Sequence, residues 1–256
     1  MNPPILRAEK LTKRFGGLAA VSDVSLDLTL GQVHAVIGTN GAGKSTLTHM
    51  LSGDLAPTSG RIRYAGQELA GLPSHRISRL GIGRSYQKTN IFLPFTVSEN
   101  VRLAAQSRHP RFWQIWRGAG SYADINCAAE HAIVAAGLSA RRDAIAANMS
   151  HGEQRQLEIA MCLATAPQVL LLDDPLAGMG PAESERIVAL IDTLKNGRAI
   201  MLIEHDMDAV FAVADQLTVM VNGTVLASGS PAAVRSSPLV KRAYLGDSVE
   251  YGTENA

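Results

Sequence analysis

The stretch from Val33 to Thr46 constrains the fold of this chain more than any other. An apolar run from Val33 to Ile37 is followed by Gly-Thr-Asn-Gly-Ala-Gly-Lys-Ser-Thr. This fits the pattern G-x-x-x-x-G-K-[ST], in which a strand leads into a glycine-rich turn and then a helix. At the usual glycine frequency, a chain of this length should match by chance on the order of once in a hundred. The sequence therefore predicts a loop that binds nucleotide phosphates.

The residue types of this loop explain how it would hold a phosphate. Its glycines let backbone N–H groups surround the phosphate without Cβ clashes, and the following helix directs its positive end at the same charge. Lys44 can reach the β- and γ-phosphates, and the Ser45 hydroxyl can ligate Mg²⁺. We expect the nucleotide to contact these loop residues: Gly38, Asn40, Gly41, Ala42, Gly43, Lys44, Ser45 and Thr46.

Composition excludes several classes of protein. Of the 256 residues, 46% are hydrophobic, which is enough for a sizeable core. The net charge of +1 gives no electrostatic reason to expect nucleic-acid binding. With no signal-peptide pattern and no apolar run of about 18 residues, we expect a cytoplasmic protein that does not cross the membrane itself. Cys127 and Cys162 lack metal or redox spacing and are expected to be buried apolar groups.

The hydrophobic pattern predicts an α/β core with an inserted helical subdomain. Residues 5–30 alternate, which indicates antiparallel strands around a turn at Gly16 and Gly17, with Leu6, Ala8 and Lys10 on one face. Between about Lys88 and Ala166, Ala-rich helical patterns replace the strand patterns, which resume at Val169. The predicted division has three parts: an α/β core of residues 1–87 and 166–246, a helical subdomain of residues 88–165, and a loose tail of residues 247–256.

Two carboxylates follow the apolar run from Val169 to Leu172. Ligands gather at the carboxyl ends of parallel strands, where the phosphate loop also emerges. Asp173 would hold Mg²⁺ directly or through water, and Asp174 would act on an attacking water. Alone, the pair could equally cap a turn before Pro175, but a phosphate loop in the same chain favours catalysis.

Three further polar features are ambiguous when taken singly. Ser150 and Glu153 have the spacing of a helix capping box, and a capped, glycine-containing helix start can also bind an anion. Gln87 and His205 each follow a predicted strand and could be ordinary turn residues. The basic and aromatic segment 108–117 would suit a membrane headgroup region or a partner groove, or would fold back on the helices.

Taken in order, these motifs resemble the ATP-binding-cassette (ABC) family of transport ATPases over nearly the whole chain. The segment Met149-Ser-His-Gly-Glu-Gln-Arg-Gln-Leu-Glu158 resembles the family signature Leu-Ser-Gly-Gly-Gln. Three other segments are similar to ATP-binding subunits of branched-chain amino-acid importers: residues 71–77, 176–179 and 204–207. The resemblance implies a P-loop ABC ATPase core with a mixed sheet, an N-terminal antiparallel β region and an inserted α-helical subdomain.

The resemblance also implies roles for individual residues. Phe15 would stack on adenine, and Gln87 would touch Mg²⁺ or the attacking water. His205 would support the γ-phosphate from its own chain, whereas Ser150 and Gly152 would grip the γ-phosphate held by a second chain. The implied cofactors are ATP and Mg²⁺.

The same resemblance implies a set of partners. They are a second ABC subunit, identical or different, in a head-to-tail dimer, an integral membrane permease and, indirectly, a substrate-binding protein, with no nucleic acid. The chain would lie on the cytoplasmic face of the membrane, held there by the permease.

Two departures from the general family pattern stand out. His151 and Glu153 replace Gly and Gln of the signature, as is usual for the amino-acid importer branch. Asp174 stands where the family has a catalytic Glu, so we expect slow hydrolysis with ATP binding intact. Three other interpretations stay open: an importer of urea or amides, a nucleotide-gated protein outside transport, and a switch that binds ATP without hydrolysing it.

Overall fold

A computed structural model describes residues 3–86, 90–108 and 122–245, which form two sheets and nine α-helices in those ranges. The strands are β1 (Leu6–Phe15), β2 (Leu18–Leu28), β3 (Val33–Gly38), β4 (Ser59–Tyr64), β5 (Gln67–Glu68), β6 (Ile82–Arg84), β7 (Val169–Asp173), β8 (Ala199–Ile203), β9 (Gln216–Val221) and β10 (Thr224–Gly229). The helices are α1 (Lys44–Leu51), α2 (Ser74–Leu80), α3 (Val97–Gln106), α4 (Ala123–Ala135), α5 (His151–Ala164), α6 (Pro181–Leu194), α7 (Met207–Val213), α8 (Pro231–Ser236) and α9 (Pro238–Leu245).

The larger sheet carries the strands that end at the predicted site. Its order is β10-β9-β3-β8-β7-β6, and all neighbours are parallel except β9 and β10. Every residue of β7 is buried, because Leu170 and Leu172 face one hydrophobic cluster while Val169 and Leu171 face another. Burial on both faces explains the continuous apolar run in the sequence. The expected mixed sheet is confirmed.

The smaller sheet is antiparallel, as expected for the N-terminal region, with the order β2-β1-β4-β5. The prediction that Leu6, Ala8 and Lys10 share one face of the strand is wrong for Lys10. Lys10 is exposed with φ of 50°, and the pairing register shifts between Ala8 and Leu11. This β-bulge turns Leu11 into the core in place of Lys10.

The described residues between β6 and β7 form helices and no strand, in keeping with the expected helical insertion. Val101 of α3 and Ile133 of α4 belong to the same buried cluster as Leu170 and Ile200 of the larger sheet. The helical part therefore shares a continuous core with the α/β part. The exact domain boundaries stay a prediction.

The structure contradicts the prediction for one cysteine, and several other predicted features lie outside the described residues. Cys162 is partly buried as expected, but Cys127 is exposed on α4. Gln87, the tail 247–256 and all of the segment 108–117 except Arg108 lie outside the described residues. Arg108 donates from Nη1 to the carbonyl oxygen of Thr165, 2.6 Å away, at the end of α5.

Candidate nucleotide site

The phosphate loop joins the central strand β3 to α1 at the carboxyl edge of the larger sheet. Two of its glycines are required sterically. A Cβ at Gly38 would lie 2.3 Å from the carbonyl oxygen of Met220, and one at Gly43 would lie 2.4 Å from that of Ala20. Gly43 also has φ of 96°, which L side chains rarely adopt. Strands on both sides thus hold the loop so closely that only glycine fits.

Lys44 lies buried across the inside of the loop. Its Nζ donates to the carbonyl oxygens of Gly38, at 2.7 Å, and Thr39, at 3.0 Å. Burial lowers the pKa of Lys44, while the nearby carboxylates of Asp173 and Asp174 act to raise it. The fold therefore gathers the lysine and both predicted acidic residues at one place.

Asp173 ends β7 as a buried side chain, and the basic residue beside it is Arg84 of β6. Nη2 of Arg84 lies 3.5 Å from Oδ2 of Asp173, and Nη1 lies 2.8 Å from Oδ2 of Asp54. Burial raises the pKa of Asp173, and the Arg84 guanidinium acts in the opposite direction. The Asp173 backbone N–H donates to Oγ of Ser85 at 3.2 Å. Arg84 of β6 thus contacts the side chain of Asp173, and Ser85, which follows β6, holds its backbone.

Asp174 directly follows β7 in a left-handed conformation with φ of 55°, which Asp tolerates better than most residues. Its N–H donates to the carbonyl oxygen of Ile203 at 2.9 Å. Glu204 directly follows Ile203, the last residue of the neighbouring strand β8, and is 2% exposed. Burial raises the pKa of Glu204 to about 7, and the negative charge of Asp174 contributes in the same direction.

The Glu204 carboxylate ties the two strand ends together. Oε1 accepts from the N–H of Leu176 at 2.8 Å, just beyond Asp174, and Oε2 accepts from the N–H of His205 at 3.1 Å. The side chain of His205 is itself exposed at this edge. Phe15 is also exposed, at the tip of β1, with Nζ of Lys13 5.4 Å from its ring centre.

The signature segment is separate from this cluster. Ser150 caps α5, and the predicted capping box is confirmed: Oγ accepts from Glu153 N–H at 3.2 Å, and the Glu153 carboxylate accepts from Ser150 N–H at 2.9 Å. The Ser150 hydroxyl donates to Oε1 of Glu183 on α6 at 3.0 Å. These hydrogen bonds connect Ser150 to its own helix and to α6, not to the phosphate loop.

The donor set at the loop suits Mg²⁺ better than a metal bound by protein alone. Among the described residues, no group of three or more His, Cys, Asp and Glu side chains could hold a metal. Mg²⁺ in phosphate sites takes one or two protein oxygens together with phosphate oxygens. Ser45 is the second residue of α1, and Asp173 ends β7 in the same sheet, so both oxygens come from the same edge of that sheet.

The sequence model of the ABC transporter family matches residues 21–177, which include the phosphate loop, the signature segment and both aspartates. The chain belongs to the ABC transporter family. A second model, of the branched-chain amino acid ATP-binding cassette transporter, matches residues 224–250.

Individual relatives are similar to this chain over nearly their whole lengths. The cassette is 40% identical to the high-affinity branched-chain amino acid transport ATP-binding protein BraF of Pseudomonas aeruginosa, covering 96% of this chain and 100% of the relative. It is 39% identical to LivG of Escherichia coli, which carries the same description, with the same coverage. The ADP conformation of MJ1267, an ATP-binding cassette of an ABC transporter, superposes with a TM-score of 0.84 at 29% identity, covering 95% and 99% of the two chains.

Sequence reasoning missed several residues that build this ABC cassette site. Arg84 belongs to no motif, and Glu204 stood out only as the first residue of segment 204–207, which indicated no structural role for it. Their partners Asp173 and Leu176 are distant in the sequence. A charged residue inside an apolar strand pattern, as in Met201-Leu-Ile-Glu204, is the one local signal that could have marked Glu204 as buried. Glu183 carries no such signal, because α6 is exposed around it.

Proposed function

We propose that this cassette is the ATP-binding and hydrolysing subunit of an importer for branched-chain or other hydrophobic amino acids. It would couple ATP-driven closure of a cassette dimer to a separate membrane permease. The placement of Lys44, Asp173 and Asp174 at the same edge of the larger sheet carries this proposal, because it supplies the parts of a γ-phosphoryl transfer site. The amino-acid assignment is supported by the likeness to BraF and LivG.

In the proposed reaction, loop N–H groups and Lys44 hold the β- and γ-phosphates, and Phe15 stacks on adenine. Ser45 and Asp173 hold Mg²⁺, with Gln87 touching the metal or the water. Bound Mg²⁺ supplies positive charge that stabilises the transferring phosphoryl group. Asp174 orients or deprotonates the attacking water, and His205 supports the γ-phosphate.

A second cassette completes the site. The side chain of Ser150 and the backbone at Gly152 belong to a capped helix start, which attracts anions. Since this helix start makes its contacts away from its own phosphate loop, we propose that it serves the γ-phosphate on a partner cassette, identical or different. Two ATP molecules would then lie in a head-to-tail interface.

The proposed location is the cytoplasmic face of the membrane, reached through the permease. No helix within residues 3–86, 90–108 and 122–245 is long and apolar enough to cross a bilayer. If the permease holds the chain at the membrane, a tagged chain isolated from host membranes retains a polytopic membrane protein and hydrolyses ATP. Salt-sensitive binding to nucleic acid, without any membrane subunit, would instead favour a nucleotide-gated protein outside transport.

One observation favours a second candidate function. Asp174 reaches less far than a Glu at the same backbone position, so the cassette could close on ATP without hydrolysing it. An isolated complex that closes on ATP but never releases phosphate would identify such a switch. If the complex took up urea or short amides and no amino acids, the cargo assignment would change, but the assignment as an ATPase would stand.

A further inference from the structure

The strand β6 lies at one edge of the larger sheet, and side chains of the signature helix α5 contact the backbone of its last residue and of Tyr86 just beyond it. Cys162 donates from Sγ to the carbonyl oxygen of Arg84 at 2.9 Å. One and two turns earlier, Glu158 Oε1 accepts from the N–H of Tyr86 at 2.9 Å, and Arg155 Nη1 donates to the carbonyl oxygen of Tyr86 at 2.6 Å. Both backbone groups of Tyr86, the residue before Gln87, are thus held by α5.

Arg155 and Glu158 form one buried unit. Their side chains are 4% and 5% exposed, and Arg155 Nη1 lies 2.7 Å from Oε2 of Glu158. Burial raises the pKa of Glu158, while the N–H groups of Tyr86 and Asn90 and the charge of Arg155 act to lower it. The Glu158 carboxylate is thus held by the backbone of Tyr86 and by Arg155. A buried pair of this kind costs desolvation energy, and its two hydrogen bonds to the backbone of Tyr86 supply a reason for its presence.

The side chain of Arg84 connects the same short stretch to the nucleotide site. Nη1 donates to Oγ of Ser52, at 2.9 Å, and contacts His49 Nδ1, at 3.0 Å, both at the end of α1. Nη2 approaches Asp173 at 3.5 Å. We name residues 84–86 the junction. The Arg84 side chain bonds the junction to the end of α1, the helix after the phosphate loop, and the backbone of the junction is bonded to the signature helix α5.

From this arrangement we propose that Arg155 and Glu158 are positioning residues that couple the nucleotide site of one chain to the placement of its own signature helix. The coupling passes through the junction, and the proposal rests on the proposed ATPase function. Neither residue belongs to the phosphate loop or to the proposed catalytic set. Loss of the pair should therefore lower the rate of hydrolysis and leave ATP binding unchanged.

A double variant, Arg155→Met with Glu158→Met, tests this proposal with the least risk to folding. Replacing a buried ion pair by apolar side chains of similar size is often neutral or stabilising, whereas removing one partner leaves a buried charge. The double variant cannot bond Tyr86. Ile159→Val is the matched control, because Ile159 is buried on the same helix, 2% exposed, and makes no polar contact.

Steady-state hydrolysis by the complex isolated through the tagged chain is the first measurement. The double variant should lower kcat about tenfold with an unchanged KM for ATP, as expected for lost positioning hydrogen bonds. Glu158→Gln keeps an acceptor for Tyr86 and should fall between the double variant and the parent. The Ile159→Val control should stay within twofold of the parent. A double variant within twofold of the parent, or a control that loses as much, overturns the coupling.

Hydrogen exchange on the purified chain is the second measurement, with a non-hydrolysable ATP analogue as the probe. In the parent, the analogue should slow exchange across residues 150–156, and in the double variant it should not, although both bind the analogue equally. Equal slowing in both proteins overturns the inference. A parent complex that hydrolyses no ATP overturns the proposed function instead, and the exchange comparison still decides the coupling.

Discussion

Replacement of Asp174 by Glu tests how far one methylene limits this cassette. Asp174 is held at the end of β7 by the hydrogen bond from its N–H to the carbonyl oxygen of Ile203, 2.9 Å long. The backbone is therefore fixed by β8, and the carboxylate reaches only as far as the side chain allows. A Glu at the same position would extend the carboxylate by about 1.5 Å toward the proposed water.

The expected gain follows from that displacement. A misplacement of about 1 Å in a catalytic group costs on the order of 10²-fold in rate, which is about 2.7 kcal/mol of activation free energy. The left-handed backbone at φ of 55° penalises Glu slightly more than Asp. Because that penalty applies to the ground state and the transition state alike, it should appear in stability and not in kcat.

Steady-state phosphate release by the isolated complex measures the effect. We expect Asp174→Glu to raise kcat by one to two orders of magnitude with little change in KM for ATP. Asp174→Asn is the matched control, since it keeps the length and removes the charge, and it should abolish turnover. An Asp174→Glu protein no faster than the parent would refute the argument from side-chain length.

Two further predictions concern the frame of the site. Gly43→Ala should abolish ATP binding and lower the free energy of unfolding by about 1–3 kcal/mol, because its Cβ would lie 2.4 Å from the carbonyl oxygen of Ala20. Gly17→Ala is the control: there is open space around Gly17, so this variant should behave like the parent in nucleotide titrations and urea unfolding. Equal behaviour of the two variants would contradict the prediction. Burial raises the pKa of Glu204 to about 7 from an ordinary 4.5. Between these two pH values the folded state binds a proton that the unfolded state has lost. The free energy of unfolding should therefore fall by up to about 3 kcal/mol as the pH rises through this range. Glu204→Gln should flatten this slope in urea unfolding between pH 5 and 8, and an unchanged slope would exclude Glu204 as its source.

Local patterns predicted much of this fold. The helix predicted directly after the phosphate loop is present as α1, and Gly43 immediately precedes it. The capping box at Ser150 was also readable, since its two side chains are only three residues apart. The strand β7 was recognisable from its unbroken apolar run.

Contacts between distant parts of the chain were not readable in the same way. The pairing of Arg84 with Asp173 joins residues 89 apart, and the hydrogen bonds of Glu158 and Arg155 to Tyr86 cross about 70 residues. In the sequence, Arg155 and Glu158 look like an ordinary charged helix face. The bulge that exposes Lys10 was equally hidden, because alternation alone does not reveal a shift in register.

Transport itself tests the central claim most directly. Uptake of radiolabelled leucine should be measured in source cells that lack this chain, supplied with either the parent or Lys44→Ala at matched expression. The account predicts that the parent restores ATP-dependent leucine uptake and that Lys44→Ala does not, because the proposed role of Lys44 is to hold the phosphates. Leucine uptake that is unaffected by loss of the chain, with no recovery of any amino-acid transport by the parent, would contradict the account.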